Sequence, residues 1–175
     1  MAPSAPFETL LNGRAAHGLG GRWFGVYPAL VSDIQDPDSS GRVKVTLPWS
    51  PDTAGQRYEV WARLATLMGG SKRGSWFLPD VNDEVLVVFE GGDTRRPYVI
   101  GGLWNGSDAP PESMDGSGRN YKKVLKSRNG VKVTLKDGPG SVEITDSNGN
   151  SIKLETSGVT ISASATLTIN ASAVT

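Results

Sequence analysis

The last part of this chain, residues 121–175, alternates apolar and polar residues with a period of two and has no aromatic residue after Tyr121. A period of two is typical of β-strands that bury one face and expose the other. Glycine-containing turns interrupt the alternation, for example at residues 137–140 and 157–158. The segment is therefore predicted to fold into short strands joined by tight turns. No helix, disulfide or aromatic residue is available to cover its apolar side, so the sequence indicates self-assembly.

Three identical tails closed around an axis would bury this apolar side. A ribbon of two to four short strands is marginal on its own and has open edges, whereas a triangular prism has a narrow interior that suits small aliphatic side chains. The predicted trimer core consists of Val131, Val133, Leu135, Val142, Ile144, Ile152, Leu154, Val159, Ile161, Leu167 and Ile169. The alternative is a disordered Ser/Thr-rich tail, but disordered segments rarely keep strict alternation of β-branched residues.

The first two thirds of the chain have the pattern of a different β-domain. All 13 aromatic residues lie at or before Tyr121. Strand-like runs separated by Gly/Pro turns occur at residues 27–34, 42–47, 60–64, 84–89 and 98–104, with a short apolar run at 75–78. Five or six strands without helical periodicity predict a small Greek-key barrel of the oligonucleotide/oligosaccharide-binding (OB) type.

The predicted fold class is therefore all-β, an OB-fold barrel followed by a C-terminal intertwined trimeric β-helix or β-prism. The predicted domains are an N-terminal arm (1–22), the OB-fold domain (23–112), a polar linker (113–120) and a β-helical needle (121–175).

Composition disfavours several classes of function. Lys+Arg and Asp+Glu are both 18, so no overall charge attracts a polyanion. There is no cysteine and a single histidine, His17, so neither a thiolate metal site nor a nucleophile–base pair is expected. No signal peptide or membrane-spanning run is apparent, and synthesis and assembly in the cytoplasm are expected. We expect no cofactor and no catalytic residue.

Three local motifs resemble sites but fit turns better. Residues 36–41 begin like a calcium loop, yet the twelfth position of the loop is Leu47 instead of a glutamate. Residues 69–74 lack the GxxxxGK[ST] pattern of a phosphate loop. Asp80, Asp83 and Glu84 have no second lobe to form a glycosidase cleft, so they are expected at turns and strand edges.

The five tryptophans leave one other function open. Exposed aromatic and basic residues on an OB barrel can bind single-stranded nucleic acid, which is the alternative function. Zero net charge and the assembling tail argue against it, and the tryptophans are expected in the barrel core and in contacts between chains. A wall-degrading enzyme is a third, weaker alternative. Steep salt dependence of oligonucleotide binding would support the nucleic-acid-binding alternative, and muralytic activity would support the wall-degrading enzyme.

With both halves considered, the chain resembles the baseplate spike proteins of contractile phage tails, of the baseplate assembly protein V type, which are related to the VgrG proteins of type VI secretion. The resemblance covers about residues 25–112 in family order. It is carried by GRVKVTLPW (41–49), VWAR (60–63), WFLPDVNDEVLV (76–87), GGD (91–93), Pro97 and Gly101. The tail resembles the family's β-helical needle in style.

The resemblance implies a trimeric OB collar and a mechanical, non-enzymatic role at the tip of an injection machine. VgrG-type chains carry a large N-terminal hub domain, so a separate hub protein is expected to contact Phe7, Leu10 and Leu11. A PAAR-type tip protein is expected to cover the C-terminal end, at Ile169, Ala171, Ala173, Val174 and Thr175. No nucleic-acid partner is expected.

Overall fold

The computed structural model describes residues 22–48, 50 and 57–172. The chain divides into two compact units, Met1–Ala109 and Pro110–Thr175. Among the described residues the regular elements are strands, apart from one turn of 3-10 helix at Glu90–Gly92. The all-β prediction is confirmed. The described residues include no helix long and apolar enough to cross a membrane.

The first unit is a closed five-stranded barrel. The five barrel strands are β1 (Val26–Asp33), β2 (Val43–Thr46), β3 (Glu59–Leu64), β6 (Glu84–Phe89) and β7 (Pro97–Gly102). Between β3 and β6 the chain forms a separate small hairpin of β4 (Gly69–Gly70) and β5 (Arg73–Gly74). The barrel closes in the order β1-β2-β3-β7-β6, and β6 pairs back onto β1. All pairs in the barrel are antiparallel except β3 with β7, which are parallel. This is the predicted OB-type barrel.

Small aliphatic residues fill the barrel because alternate positions on each strand point inward. On β6 the buried positions are Val85, Val87 and Phe89, as the period of two predicts. They pack with the inward residues of the other strands, which are Ala29, Val31, Val43, Val45, Ala62 and Val99, and with Leu47 just after β2.

Aromatic residues pack at one place in this core. Trp23 lies edge-on to Phe89, with ring centroids 5.5 Å apart, and 5.6 Å from the ring of Tyr27. The Trp23 backbone N–H donates to the Gly92 carbonyl at 2.9 Å. A side chain at Gly92 would meet that backbone nitrogen at 3.1 Å, so this close approach requires glycine. The prediction that tryptophans fill the core holds for Trp23.

Two other tryptophans are on the surface. Trp76 and Trp104 keep 75% and 69% of their area exposed in the single chain. The apolar run 75–78 does not form a strand, and it leads from β5 towards β6. Alternation alone cannot predict whether these side chains are buried or exposed, because a short apolar run has the same sequence pattern in both cases.

The second unit is one antiparallel sheet of five strands that follow each other in sequence. They are β8 (Lys122–Lys126), β9 (Lys132–Lys136), β10 (Ser141–Thr145), β11 (Ser151–Glu155) and β12 (Gly158–Ser162). The sheet order is β12-β11-β10-β9-β8, so each strand pairs with its neighbours in sequence. Within the single chain β8 and β12 are the two edges.

Candidate functional site

One face of the C-terminal sheet is apolar and exposed, and it is the candidate functional site. We call it the apolar face. Cross-strand neighbours place Val133 beside Ile144, Ile144 beside Ile152 and Ile152 beside Ile161 in one row. A second row joins Leu135, Val142, Leu154 and Val159, and Leu125 extends the first row onto β8. Eight of the eleven predicted core residues therefore share one face.

The lengths of the turns keep the apolar residues on the same face. The β9–β10 and β11–β12 connections have an even number of residues, and the β10–β11 connection has an odd number. Across a connection with an even number of residues, the positions on the apolar face change from odd to even residue numbers, or from even to odd. Across a connection with an odd number of residues, they stay odd or stay even. The parity changes that were visible in the sequence are therefore required by the register.

The apolar face is open to solvent in the single chain. Leu135, Ile144, Ile152 and Leu154 keep 40–45% of their area exposed, Ile161 keeps 51% and Val159 keeps 67%. Isolated exposed aliphatics are ordinary, but a contiguous apolar patch of this kind marks an interaction surface. The arrangement can therefore act by association with another apolar surface.

The opposite face is polar and carries ion pairs. Lys136 pairs with Glu143 at 2.7 Å and Lys153 with Glu155 at 2.6 Å. The Glu112 carboxylate lies between Lys122, at 2.8 Å, and Lys132. Hydrogen bonds from these two lysines lower the pKa of Glu112 to about 2. These side chains keep 27–47% of their area exposed, so each pair contributes modestly to stability, and together the pairs make up the polar face.

The predicted linker 113–120 begins beside this polar face and contains its own turn. Asp115 accepts hydrogen bonds from the Ser117 hydroxyl at 2.6 Å and from the Ser117 backbone N–H at 3.0 Å. These bonds, with others from Tyr121 and Arg119, lower the pKa of Asp115 to about 2. Sequence reasoning missed the part played by Glu112, because a lone glutamate in a Pro/Gly/Ser-rich stretch gives no sign of its partners.

The remaining predicted core residues lie outside the strands. Val131 comes just before β9 and bonds to Ser127 in the β8–β9 turn. Leu167 and Ile169 lie beyond β12 and are 52% and 63% exposed. Ala171 is exposed as well. The predicted hub contacts Phe7, Leu10 and Leu11 and the predicted tip contacts Ala173, Val174 and Thr175 lie outside the described residues, as does His17.

The calcium-like segment 36–41 is a turn that holds an arginine. Asp36 accepts from the Arg42 guanidinium at 2.6 Å and from the Ser40 backbone N–H at 2.7 Å, and Arg42 also contacts Asp38. The Arg42 side chain holds the pKa of Asp36 well below its usual range. A cation is thus already supplied by the protein, which agrees with the turn prediction.

The other carboxylates also have turn and strand-edge roles. The Asp83 side chain accepts from the Asp80 backbone N–H at 2.8 Å. Glu84 begins β6 and accepts from the Asn105 side chain at 2.8 Å. The described residues contain no group of three or more His, Cys, Asp or Glu side chains positioned to hold a metal ion.

The aromatic residues of the barrel surface are of two kinds. Trp61 is half-buried, with the Lys44 ammonium 5.1 Å and the Arg42 guanidinium 5.7 Å from its ring centroid. Its ring therefore already has cationic partners within the chain. Trp76 and Phe77 instead present 75% and 71% of their area to solvent. Sequence reasoning missed this exposed pair.

A barrel of OB topology joined to a sheet with an uncovered apolar face defines a class of OB-fold proteins that assemble through their C-terminal segment. Comparison with known families agrees with this division into an OB domain and an assembling C-terminal segment. Residues 27–104 match the type VI secretion system/phage-baseplate injector OB domain, and residues 122–175 match the phage baseplate V C-terminal trimerisation domain. The chain belongs to this phage-baseplate and type VI spike family, as its sequence motifs predicted.

Similar curated proteins include spike proteins of type VI secretion. The type VI secretion system spike protein VgrG3 of Vibrio cholerae is 33% identical over 78 residues, which are 44% of this chain and 8% of VgrG3. VgrG1a of Pseudomonas aeruginosa is 32% identical over 44% of this chain and 12% of its own length. The actin cross-linking toxin VgrG1 of V. cholerae is 31% identical over 44% of this chain and 7% of that toxin. The match thus spans about a tenth of each relative.

Proposed function

We propose that this protein is the structural spike at the baseplate of a contractile phage tail or injection system. In this proposal three copies assemble through their C-terminal segments, and the resulting needle pierces the target envelope when the sheath contracts. The observation that carries the proposal is the apolar face, which a single chain leaves exposed. The match of residues 122–175 to a trimerisation domain supports it.

The area left exposed on the apolar face is large enough to drive assembly. A fully buried aliphatic side chain contributes roughly 1.5–3 kcal/mol. Seven of the nine residues of the two rows keep 40–67% of their area exposed, so complete burial would stabilise association by on the order of 10 kcal/mol per chain, as an upper estimate. Three chains supply this together, against the cost of lost translational and rotational freedom.

Trimer formation also offers a solution for the sheet edges. β8 and β12 have one neighbour each within the chain, and an open strand edge invites uncontrolled pairing. β8 carries Lys122, Lys123 and Lys126, which discourage such pairing, whereas β12 carries no charged side chain. We propose that neighbouring chains cover these edges around a common axis, with the apolar face inside and the Lys/Glu pairs outside.

Two partners complete the proposed machine. A separate hub protein would bind at the N-terminal side through Phe7, Leu10 and Leu11. A PAAR-type tip protein would bind the C-terminal end, where Leu167 and Ile169 are exposed. The role is mechanical and non-enzymatic, which fits carboxylates that are occupied in turns. The protein would be made in the cytoplasm and reside in the baseplate of the particle.

Particle assembly tests this function directly. Deleting the gene from the producing strain should leave particles that lack the central spike density in electron micrographs, and full-length protein supplied in trans should restore it. The purified protein should be a trimer by light scattering at micromolar concentration. A monomer, or particles with an intact spike in the deletion strain, would contradict the proposal.

A further inference from the structure

An exposed hairpin protrudes from the OB barrel between β3 and β6. We call residues 65–77 the aromatic hairpin. Its large apolar side chains face solvent, with Leu67 97%, Phe77 71%, Trp76 75% and Met68 55% exposed. The described residues leave most of the area of these side chains uncovered, and this exposure indicates an interaction surface.

The aromatic hairpin is held in place by its own hydrogen bonds. The Ser75 backbone N–H donates to the Met68 carbonyl at 2.9 Å, and the Thr66 hydroxyl donates to the Ser75 carbonyl at 2.7 Å. Trp76 packs on the β1–β2 turn, where a side chain at Gly41 would meet its ring at 3.3 Å. A preorganised surface loses little conformational entropy on binding.

Charge on the barrel is segregated around this hairpin. Residues 60–79 contain three basic side chains, Arg63, Lys72 and Arg73, and no acidic one. The other described residues of the first unit contain 6 basic and 10 acidic side chains. The hairpin is therefore complementary in charge to the remainder of a second barrel.

A concave surface lies on another part of the barrel. An open depression of about 350 Å³ is lined by Pro28, Ala29, Leu30 and Pro48, with Glu84 as its acidic member. It lies where β1 pairs with β6. In the barrel order β3 is adjacent to neither of these strands, so the depression and the aromatic hairpin occupy different parts of the surface.

A ring of three barrels needs two such different patches. In a cyclic trimer each contact is heterologous, so one surface of a chain meets a different surface of the next. Trimerised C-terminal segments also tether the three barrels at high effective concentration, which makes a weak contact sufficient. We propose that the aromatic hairpin of each protomer docks in the Pro28–Leu30 depression of the next protomer. This inference rests on the proposed trimer.

Cysteine cross-linking tests the contact cleanly because the chain has no cysteine. The variant Leu67→Cys/Leu30→Cys should give covalent trimers with a short bismaleimide. Leu67 is exposed, and Leu30 alternates with the buried Ala29 and Val31, so neither substitution alters the barrel core. Leu67→Cys alone and Leu67→Cys/Arg95→Cys are matched controls, since Arg95 is exposed and does not line the depression. The controls should give at least several-fold less covalent trimer.

Each outcome decides between the contact and its alternatives. Equal cross-linking in the test pair and the controls, in protein that light scattering shows to be a trimer, overturns the docking contact and leaves the proposed spike intact. A monomer overturns both. An environment-sensitive dye on Leu67→Cys should be shielded in the trimer. A dye that is exposed in the trimer and shielded only by phosphatidylglycerol vesicles would instead identify a membrane-binding hairpin and refute the contact.

Discussion

Replacing Ile161 with aspartate tests which face of the C-terminal sheet lies inside the assembly. Ile161 lies in β12 beside Ile152 on the apolar face, and 51% of its area is exposed in the single chain. Thr160, one residue earlier, lies on the opposite face beside Lys153. The pair Ile161→Asp and Thr160→Asp therefore introduces the same charge at adjacent positions on opposite faces.

The two substitutions should differ by several kcal/mol. Loss of the half side chain that assembly buries costs roughly 1 kcal/mol per chain. Bringing a carboxylate into a dry interior without a partner costs several kcal/mol more per ion, and three such charges would repel each other. At Thr160 a carboxylate remains in water near the Lys153 ammonium, so its effect should lie within about 0.5 kcal/mol.

Sedimentation or light scattering over a dilution series measures the difference. Since about 1.4 kcal/mol changes an equilibrium constant tenfold, Ile161→Asp should abolish the trimer at concentrations where wild type and Thr160→Asp remain fully assembled. Ile161→Ala is the milder control and should raise the midpoint concentration without abolishing assembly. Equal dissociation of the two aspartate variants would refute the assignment of faces.

Three further predictions concern the polar face of the C-terminal sheet, the N-terminal arm and the C-terminal end of the chain. The pKa of Glu112 falls from 4.5 to about 2 on folding, so its pairs with Lys122 and Lys132 contribute stability above pH 4.5 that is lost as the pH falls towards 2. The melting temperature of Glu112→Gln should therefore decrease less between pH 4.5 and pH 2 than that of the wild type. Identical dependence of the two melting temperatures on pH would argue against these pairs. Deletion of residues 2–20 should leave a soluble trimer that no longer joins the tail tube in a reconstitution assay, whereas normal baseplates would remove the hub assignment. A chain shortened after Gly158 should fail to bind a PAAR-type protein from the same gene cluster in a pull-down, and binding equal to that of the full-length chain would remove the tip assignment.

Local periodicity was sufficient to predict four of the five strands of the second unit, β9 to β12, whereas β8 was not predicted and the alternation at residues 163–171 lies beyond the last strand. Each strand pairs with its neighbour in sequence, so alternation and turn length together decide which residues share a face. The grouping of Val133, Leu135, Val142 and Ile144 on one side follows from counting residues through the β9–β10 turn. The polar face is also local in origin, because Lys136 and Glu143 are brought together by that same turn.

The sequence predicted that the first unit is a barrel, but alternation alone could not predict which strands pair to close it. The parallel pairing of Arg63 with Tyr98 joins strands that are far apart in sequence, and β6 returns to β1 across the whole domain. The number of strand-like runs predicted the OB fold, and the motif resemblance implied the same fold. The individual contacts, such as Asn105 on Glu84, required the folded chain because neither residue signals its partner.

The sequence by itself determined that this protein is built from strands and that its C-terminal segment has one apolar face, with no aromatic residue after Tyr121 to cover it. These properties follow from a period of two and from the composition of that segment. Only the tertiary structure decided which aromatic residues are buried, placing Trp23 in the core and Trp76 and Phe77 in solvent. The physical reason is that burial depends on which distant segments pack together, whereas the direction of a side chain on a strand depends on its position in that strand.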